Sequence, residues 1–515
     1  FVQTPFGQNW IVGKLTNRLS RDLNTRININ HVDFSLFNKM NLQGVIVEDQ
    51  FQDTLLYAGE VQVRITDWFF FRDNIVLKYV GLKDAVVKMQ RKDSVCNHQF
   101  LINYFSSPST GKSKSGSTAF DLKLVDFRNV TFIQKDAWLG QDMTIAMRGF
   151  TLNAQQVDFS SHTIKLGNLN LEGPYVSLYN YPKLKPADSL ALPDPMNPII
   201  DSSLKWNKAG WIVVVNELNI IDGTFKTDRK TEREAFAYFD GQHIEFNKIN
   251  TSFKGLRWEK DTITAHLDLK TKERSGFEVK QMAADIKLTP QEMAFARLNI
   301  KTNNSTIRDY FRMSYEDFSS MDDFIHAVRM QGNFDNSTID SDDIAFFAPA
   351  MKTWKKNITL KGSIRGTVDD LVGKNLLVQA GSNTLLNGDI SMTGLPDIQQ
   401  TFIDFKANDF RTTYEDAVSM VPAIRNVQSP NLRRLQYLRF NGSFTGFIRD
   451  FVTFGTIQTA LGTVTSDLNM KLPDRSQPVY SGTIATDYFR LGDLLGDERI
   501  GAVALSGSLK GRGVN

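Results

Sequence analysis

The sequence contains one cysteine, Cys96, in 515 residues. No intrachain disulfide can form, so packing and strand ladders must supply the framework. A single thiol suits the cytosol, and equally a periplasm in which mispairing is avoided. Its ordinary role is that of a small buried hydrophobe. Histidine is scarce too. His31, His98, His162, His243, His266 and His326 stand one by one, and no two have the spacing of metal ligands. No window of about 18 apolar residues is present, which excludes a transmembrane helix within these residues. No signal peptide begins at Phe1. The apolar-aromatic start FVQTPFGQNW reads as the interior of something longer, so we expect an upstream segment. An excess of one charge is missing as well. Lys and Arg number 60 against 57 Asp and Glu, a net charge of +3, whereas a nucleic-acid binder concentrates basic charge.

What is abundant is phenylalanine, 37 against 7 tryptophans, within a hydrophobic share of 41%. The length fits several ordinary domains or one body built of repeats. A repeat is visible. The stretch from Ile358 to Arg411 is echoed by Leu438 to Arg490. Gly362 and Gly366 answer to Gly442 and Gly446, Asp389 to Asp467, Leu395-Pro396-Asp397 to Leu472-Pro473-Asp474, and Phe410-Arg411 to Phe489-Arg490. A third copy opens at Val503. Repeating strands and turns of this kind mark a solenoid-like β structure.

In chain order, residues 8–23 place Trp10, Ile11, Leu15, Leu19 and Leu23 at helical spacing. The helix either caps the first strands or lies on a membrane surface, a reading kept open by Lys14, Arg18 and Arg21. Ile27, Ile29, then Val32 and Phe34 describe a strand with a phase slip near His31. Tyr57, Gly59, Val61, Val63 and Ile65 alternate with Ala58, Glu60, Gln62 and Arg64. Trp68–Phe71 is an apolar knot, read as a helical turn. Asp84, Asn129, Gly173 and Gly223 recur at near-even spacing, each read as a polar or glycine turn between two strands. Residues 106–117 (SSPSTGKSKSGS) and the Pro-rich residues 179–198 are loops. Ile263, Ala265, Leu267 and Leu269 alternate again. Residues 307–328 depart from the pattern and read as two helical pieces, 307–313 and 319–328. Helical inserts are expected at 414–421 and 493–500. The domains are then 1–24, an amphipathic helix; 25–306, a first β-repeat region; 307–328, a helical insert; and 329–515, a second β-repeat region.

No catalytic constellation emerges. Gly111-Lys112-Ser113 lacks the glycine five residues earlier and the strand-to-helix order of a phosphate loop. Asp340-Ser341-Asp342-Asp343 and Asp322-Asp323 lack the spacing of a calcium loop and read as solvated turns and helix caps. The glycine pairs 362/366 and 442/446 sit in strand-rich sequence, so turns or bulges are expected there. What remains is a succession of strands with one apolar and one polar stripe. Two such faces can close into a core, which the pattern alone favours, or an open curved sheet can line a trough.

The run Pro5-Phe6-Gly7-Gln8, then Val32-Asp33-Phe34-Ser35-Leu36-Phe37-Asn38, resembles the TamB proteins of Bacteroidota, a branch of the AsmA-like family. So do Leu42–Asp49, Asp53–Ala58, Asp342–Phe347, Leu360–Gly366 and Thr393–Asp397. The likeness spans essentially the whole chain, and its motifs are structural rather than catalytic. It implies an elongated, curved repeat β-sheet of the β-taco type, with a short N-terminal helix and small helical inserts. It also implies a periplasmic location with an inner-membrane anchor upstream, and no cofactor. The expected function is a conduit that shields phospholipid acyl chains in a hydrophobic groove between inner and outer membranes. The alternative is a scaffold for outer-membrane protein assembly with an Omp85-type partner, working at exposed strand edges. The positions expected to line the groove are Val61, Val63, Ile65, Leu122, Leu124, Met143, Ile145, Met147, Ile263, Leu267, Leu269, Ile286 and Leu288; plain core packing explains each as well.

Overall fold

The computed structural model describes residues 5–35, 39–65, 77–93, 95–101, 123–158, 161–186, 203–231, 233–347, 349–353, 355–420, 422–427, 430–473 and 477–513. The described residues are 64% strand and 12% helix, so the mainly β class expected from the alternation is the one they adopt. It divides into two units, Phe1–Pro290 and Gln291–Asn515.

The first unit opens with helix α1 (Pro5–Leu23). Val12 packs against the apolar side of the following sheet and Leu23 is buried. The N–H of Ile27 donates to the Ser20 hydroxyl at 3.1 Å. The helix therefore caps the first strand. Trp10 stays exposed, with the Lys14 ammonium 4.9 Å from its ring centre. Among the described residues no helix is long and apolar enough to cross a membrane.

Strands β1 (Ile27–Ser35), β2 (Lys39–Glu48), β3 (Thr54–Ile65) and β4 (Leu77–Arg91) pair antiparallel in sequence order. Strand β5 (Leu124–Asp136) runs parallel to β4. Strand β6 (Gln141–Asp158) returns antiparallel and pairs with both β7 (Thr163–Glu172) and β8 (Tyr175–Asn180). Those two run parallel to β9 (Ile212–Arg229). Strands β10 (His243–Glu259), β11 (Thr262–Glu273) and β12 (Glu278–Thr289) then follow antiparallel. A parallel pair needs a long crossover where an antiparallel pair needs only a hairpin. The Ser/Gly/Lys-rich and Pro-rich segments sit in the two connections that lead into parallel pairs. Residues 106–117 and 187–198, like the Trp68–Phe71 knot, lie outside the described residues.

The sites read as turns at Asp84, Asn129 and Gly223 do not reverse the chain. In the β4–β5 ladder Lys83 faces Arg128 and Ala85 faces Val130. Asp84 thus sits beside Asn129, whose Nδ2 donates to the Asp84 carboxylate at 2.7 Å. Asp84, Asn129, Gly173 and Asp222 have φ of +51°, +53°, +55° and +55°. These are left-handed bends in one continuing ladder, and Asx and Gly are the residues that tolerate them. Gly173 separates β7 from β8, and both keep the same register against β9. Each bend shifts the side-chain alternation by one residue. In β3, Ala58 is wholly buried while Tyr57 is 43% exposed. The clean alternation expected over Tyr57–Ile65 is therefore two phases joined at Gly59-Glu60. The slip expected near His31 is the same device, since Ile29 and Val32 are both buried.

The connection from β9 to β10 is pinned by one ion pair. Arg233 grips Asp240 with two nitrogens, at 2.7 and 2.9 Å. The backbone N–H groups of Phe236 and Gln242 donate to the same carboxylate at 3.1 and 3.0 Å. The Arg233 guanidinium, helped by those N–H donors, holds the Asp240 carboxyl well below its ordinary pKa. The folded carboxyl binds its proton more weakly than the unfolded one. Its contribution is therefore complete above about pH 4 and lost progressively below. Proteolysis of residues 230–242 should accelerate as the pH falls below about 4, and Asp240→Asn should cut fast at every pH. An acid-independent cleavage rate in the unmutated protein would contradict this.

The second unit is antiparallel throughout. Its strands are β13 (Glu292–Lys301), β14 (Thr306–Ser314), β15 (Arg329–Asp340), β16 (Asn357–Gly366), β17 (Asp370–Ala380) and β18 (Thr384–Thr393). They are followed by β19 (Phe402–Thr413), β20 (Tyr437–Phe447), β21 (Asp450–Thr459), β22 (Gly462–Lys471), β23 (Val479–Arg490) and β24 (Ala502–Arg512). Each pairs with the next. The two sequence copies are β16–β19 and β20–β23, and β24 opens the third. Short helices interrupt the succession: α2 (Phe324–Ala327), α3 (Ser341–Ile344), α4 (Tyr414–Met420) and α5 (Leu491–Leu495). The insert expected at 414–421 is α4; the second begins at Leu491 rather than 493.

The helical piece expected at 307–313 is instead strand β14. Its bulge explains the misreading. The register shifts between Thr306 and Asp309, and Asp309 has φ of +99°. The slip sets Ile307 and Phe311 a helical turn apart in sequence while both belong to a ladder. Helix is confined to a 3₁₀ turn at Phe318–Asp323 and to α2.

The acidic cluster 340–343 also has a structural role. Asp340 caps α3, accepting the Asp342 N–H at 2.8 Å. Asp343 is buried rather than solvated. It accepts from the Thr302 hydroxyl, the Asn304 N–H (3.0 Å) and the Ser305 hydroxyl (2.6 Å) in the β13–β14 turn. In α4, Asp416 does the same for the β17–β18 turn, accepting the Asn383 N–H at 2.8 Å. Each helix thus latches a hairpin through a buried carboxylate.

Candidate functional site

Residues directly opposite in a ladder point to the same face. Following Val63 across the first unit therefore traces a row. Val63 faces Met40 on β2 and Val80 on β4, and Val80 faces Val125. Val125 faces Leu152, Leu152 faces Leu169, and Leu169 faces Leu218. Leu218 faces Phe253, Phe253 faces Leu267, and Leu267 faces Ala284. Every strand from β2 to β7 and from β9 to β12 contributes an apolar side chain. Val61 belongs to the neighbouring row through Leu82 to Phe127 and Phe150, whose rings stack at 5.3 Å. Beyond the bends runs a third row, Ile29, Val45, Ala58, Ala85, Val130 and Met147. These residues form one buried cluster. The bends keep the apolar side on one face although the alternation slips.

Of the positions expected to line a groove, Val61, Val63, Met143, Ile145 and Met147 fall on this face. Ile263, Leu267, Leu269, Ile286 and Leu288 do too: Ile263 faces Leu288, and Ile286 faces Ala265. Leu124 does not. It faces Tyr79 and Asn153, and Tyr79 faces Arg64, so Leu124 stands on the polar side. Leu122 and the Ile65 side chain lie outside the described residues. Titratable groups occupy the polar side. His266, for example, has Asp285 2.9 Å and Asp268 3.8 Å away. Among the described residues no group of three such side chains is placed to hold a metal.

The second unit has a more shaped surface, and sequence reasoning missed it. Gly388 faces Ala407, Ala407 faces Gly442, Gly442 faces Gly455, and Gly455 faces Ser466. This row of small residues crosses β18 to β22. Two positions away on one side lie Ile390, Phe405, Phe444, Thr453 and Leu468, themselves cross-strand partners. On the other side lie Leu386, Phe410, Phe440, Ile457 and Val464, each two positions from the floor except Phe410, which the β19 bulge sets three from Ala407. The result is a trough with a small-residue floor and aromatic and aliphatic walls. At strand spacings of about 4.8 Å the floor runs for about 19 Å, longer than the roughly 15 Å of one leaflet of a bilayer core. Gly442 is needed there. It has φ of +155°, and a Cβ would collide with the Phe454 carbonyl oxygen.

The walls are buried to different degrees: Phe405 and Phe440 are buried, whereas Phe444 and Leu468 are only half-buried. The most buried phenylalanines among the described residues, Phe334, Phe405, Phe440 and Phe489, still expose 8 to 9%. The glycines noted as turns have separate duties: Gly442 is floor, Gly362 sits at a bulge, and Gly366 and Gly446 lie near strand ends.

Neither a protein-family model nor a curated protein matches this chain.

Proposed function

We propose that the protein is a conduit that holds phospholipid acyl chains along its apolar face, as its resemblance to the TamB proteins implies. In that reading it works in the periplasm, anchored in the inner membrane through an upstream segment. The observation that carries the reading is the trough of the second unit, floored by Gly388, Ala407, Gly442, Gly455 and Ser466 and walled by phenylalanines. The apolar rows of the first unit support it. Each CH₂ kept from water is worth about 0.8 kcal/mol, so a chain of about sixteen carbons gains roughly 10 kcal/mol. An apolar surface within either unit supplies that wherever a chain lies against it, and no catalytic residue is required.

Photo-crosslinking amino acids test it. Placed at Val63 and Phe444 on the apolar face, they should capture phospholipid from membranes, detected by mass spectrometry. Placed at Arg64 and Thr445 on the polar face, they should not. Capture confined to the polar positions rejects the conduit. Capture of unfolded barrel strands at strand edges, without lipid, would favour the assembly scaffold.

A further inference from the structure

The polar side of the second unit carries a feature that acyl-chain shielding does not use. Arg411 on β19 and Arg439 on β20 are direct cross-strand partners. Like charges so placed repel. Asp409 answers one of them, with its Oδ2 2.9 Å from Arg411 Nη2. Among the described residues no carboxylate pairs with Arg439. Their row continues to Leu385 and Gln379 on one side and Gln458 on the other. Beside it opens a concavity of 610 Å³, whose wall includes Gln379, Asn383, Tyr437, Gln458 and both arginines.

Two arginines at facing ladder positions on one concavity offer planar forks of N–H donors, the groups that bind phosphate oxygens in pairs. A tetrahedral anion offers enough oxygens to satisfy both forks at once, whereas one carboxylate satisfies one fork. The concavity is roomier than a bare phosphate requires. Its amides and the Tyr437 hydroxyl supply partners for an alcohol substituent. We propose that this concavity binds a phosphate ester, with Arg411 and Arg439 holding the phosphate and the amide side chains facing its polar alcohol part. The anion removes a repulsion that the empty sheet bears. The ester is either a free small molecule or the headgroup of a phospholipid. The site is independent of the acyl trough, because the arginine row lies on the opposite face, and either can fail alone.

The test uses the full chain at low ionic strength. Glycerol 3-phosphate is titrated by calorimetry, and vesicles of phosphatidylglycerol or phosphatidylcholine are floated with the protein. The comparison protein is Arg411→Gln/Arg439→Gln. Its melting temperature in ester-free buffer should equal or exceed that of the unmutated chain, since the repulsion is gone. Binding should fall by about tenfold or more, and Arg439→Lys, which keeps the charge without the fork, should fall in between. Arginine-dependent binding of glycerol 3-phosphate without flotation identifies the free ester as the source, and arginine-dependent flotation identifies the headgroup. Absence of both, or equal binding by the double variant, overturns the proposal.

Discussion

Val130→Asp is expected to destabilise the first unit by about 4 kcal/mol. Val130 is 1% exposed and stands between Ala85 and Met147 in the buried row. Losing its apolar burial costs about 2 kcal/mol, and placing a carboxyl without a partner among Ala58, Ala85 and Met147 costs about 2 more. The carboxyl will resist ionising there, so the loss should ease at low pH. The matched control is Val63→Asp, on the same face but only half-buried, where the cost should be about 1 kcal/mol. Urea unfolding, followed by fluorescence and by protease resistance, compares the two. Equal shifts of the midpoint would mean that the row beyond the bends is not what anchors the sheet.

Asp343→Ala is expected to cost about 3 kcal/mol, although the residue lies in a short helix of four residues. Its carboxylate is the acceptor for the Thr302 and Ser305 hydroxyls and the Asn304 N–H. Removing it leaves those donors without their acceptor at a buried turn, and the penalty for orphaned donors exceeds the net worth of a made bond. Asp343→Asn keeps one carbonyl oxygen and should lose about half as much. Amide exchange at Asn304 and Ser305 reads the effect locally. Protection there that survives Asp343→Ala would show that α3 does not hold the hairpin.

The sequence announces strands because alternation is local, and Ile263, Ala265, Leu267 and Leu269 take the positions their spacing assigns. It announces the repeat because glycine, Leu-Pro-Asp and Phe-Arg recur in order. It conceals whatever depends on register. The bends at Asp84 and Asn129 look like hairpin turns, since polar and glycine residues serve both. Only the pairing of Lys83 with Arg128 shows the strands continuing in parallel. Alternation alone sets Leu124 with the apolar stripe, and only its partners Tyr79 and Asn153 put it on the polar face. The bulge at Asp309 imitated a helical period. The floor of the trough was hidden most completely. Gly388, Ala407, Gly442, Gly455 and Ser466 have no common spacing in the chain, and they become neighbours only once four ladders are aligned. Apolar residues two positions to either side of Gly388, Gly442 and Ser466 are the local trace the floor leaves in the sequence.

The two copies in the second unit, β16–β19 and β20–β23, each run out and back twice before the next begins. Each copy therefore delivers the chain to the edge from which it started and travelling in the same direction. A unit with this parity can be inserted or deleted without reversing any neighbour or disturbing the helix that closes each copy. Reach and cross-section thereby become separable properties: counting copies sets one, while the residues of the floor and walls set the other. Lineages can lengthen or shorten such a surface by duplication without redesigning what it holds.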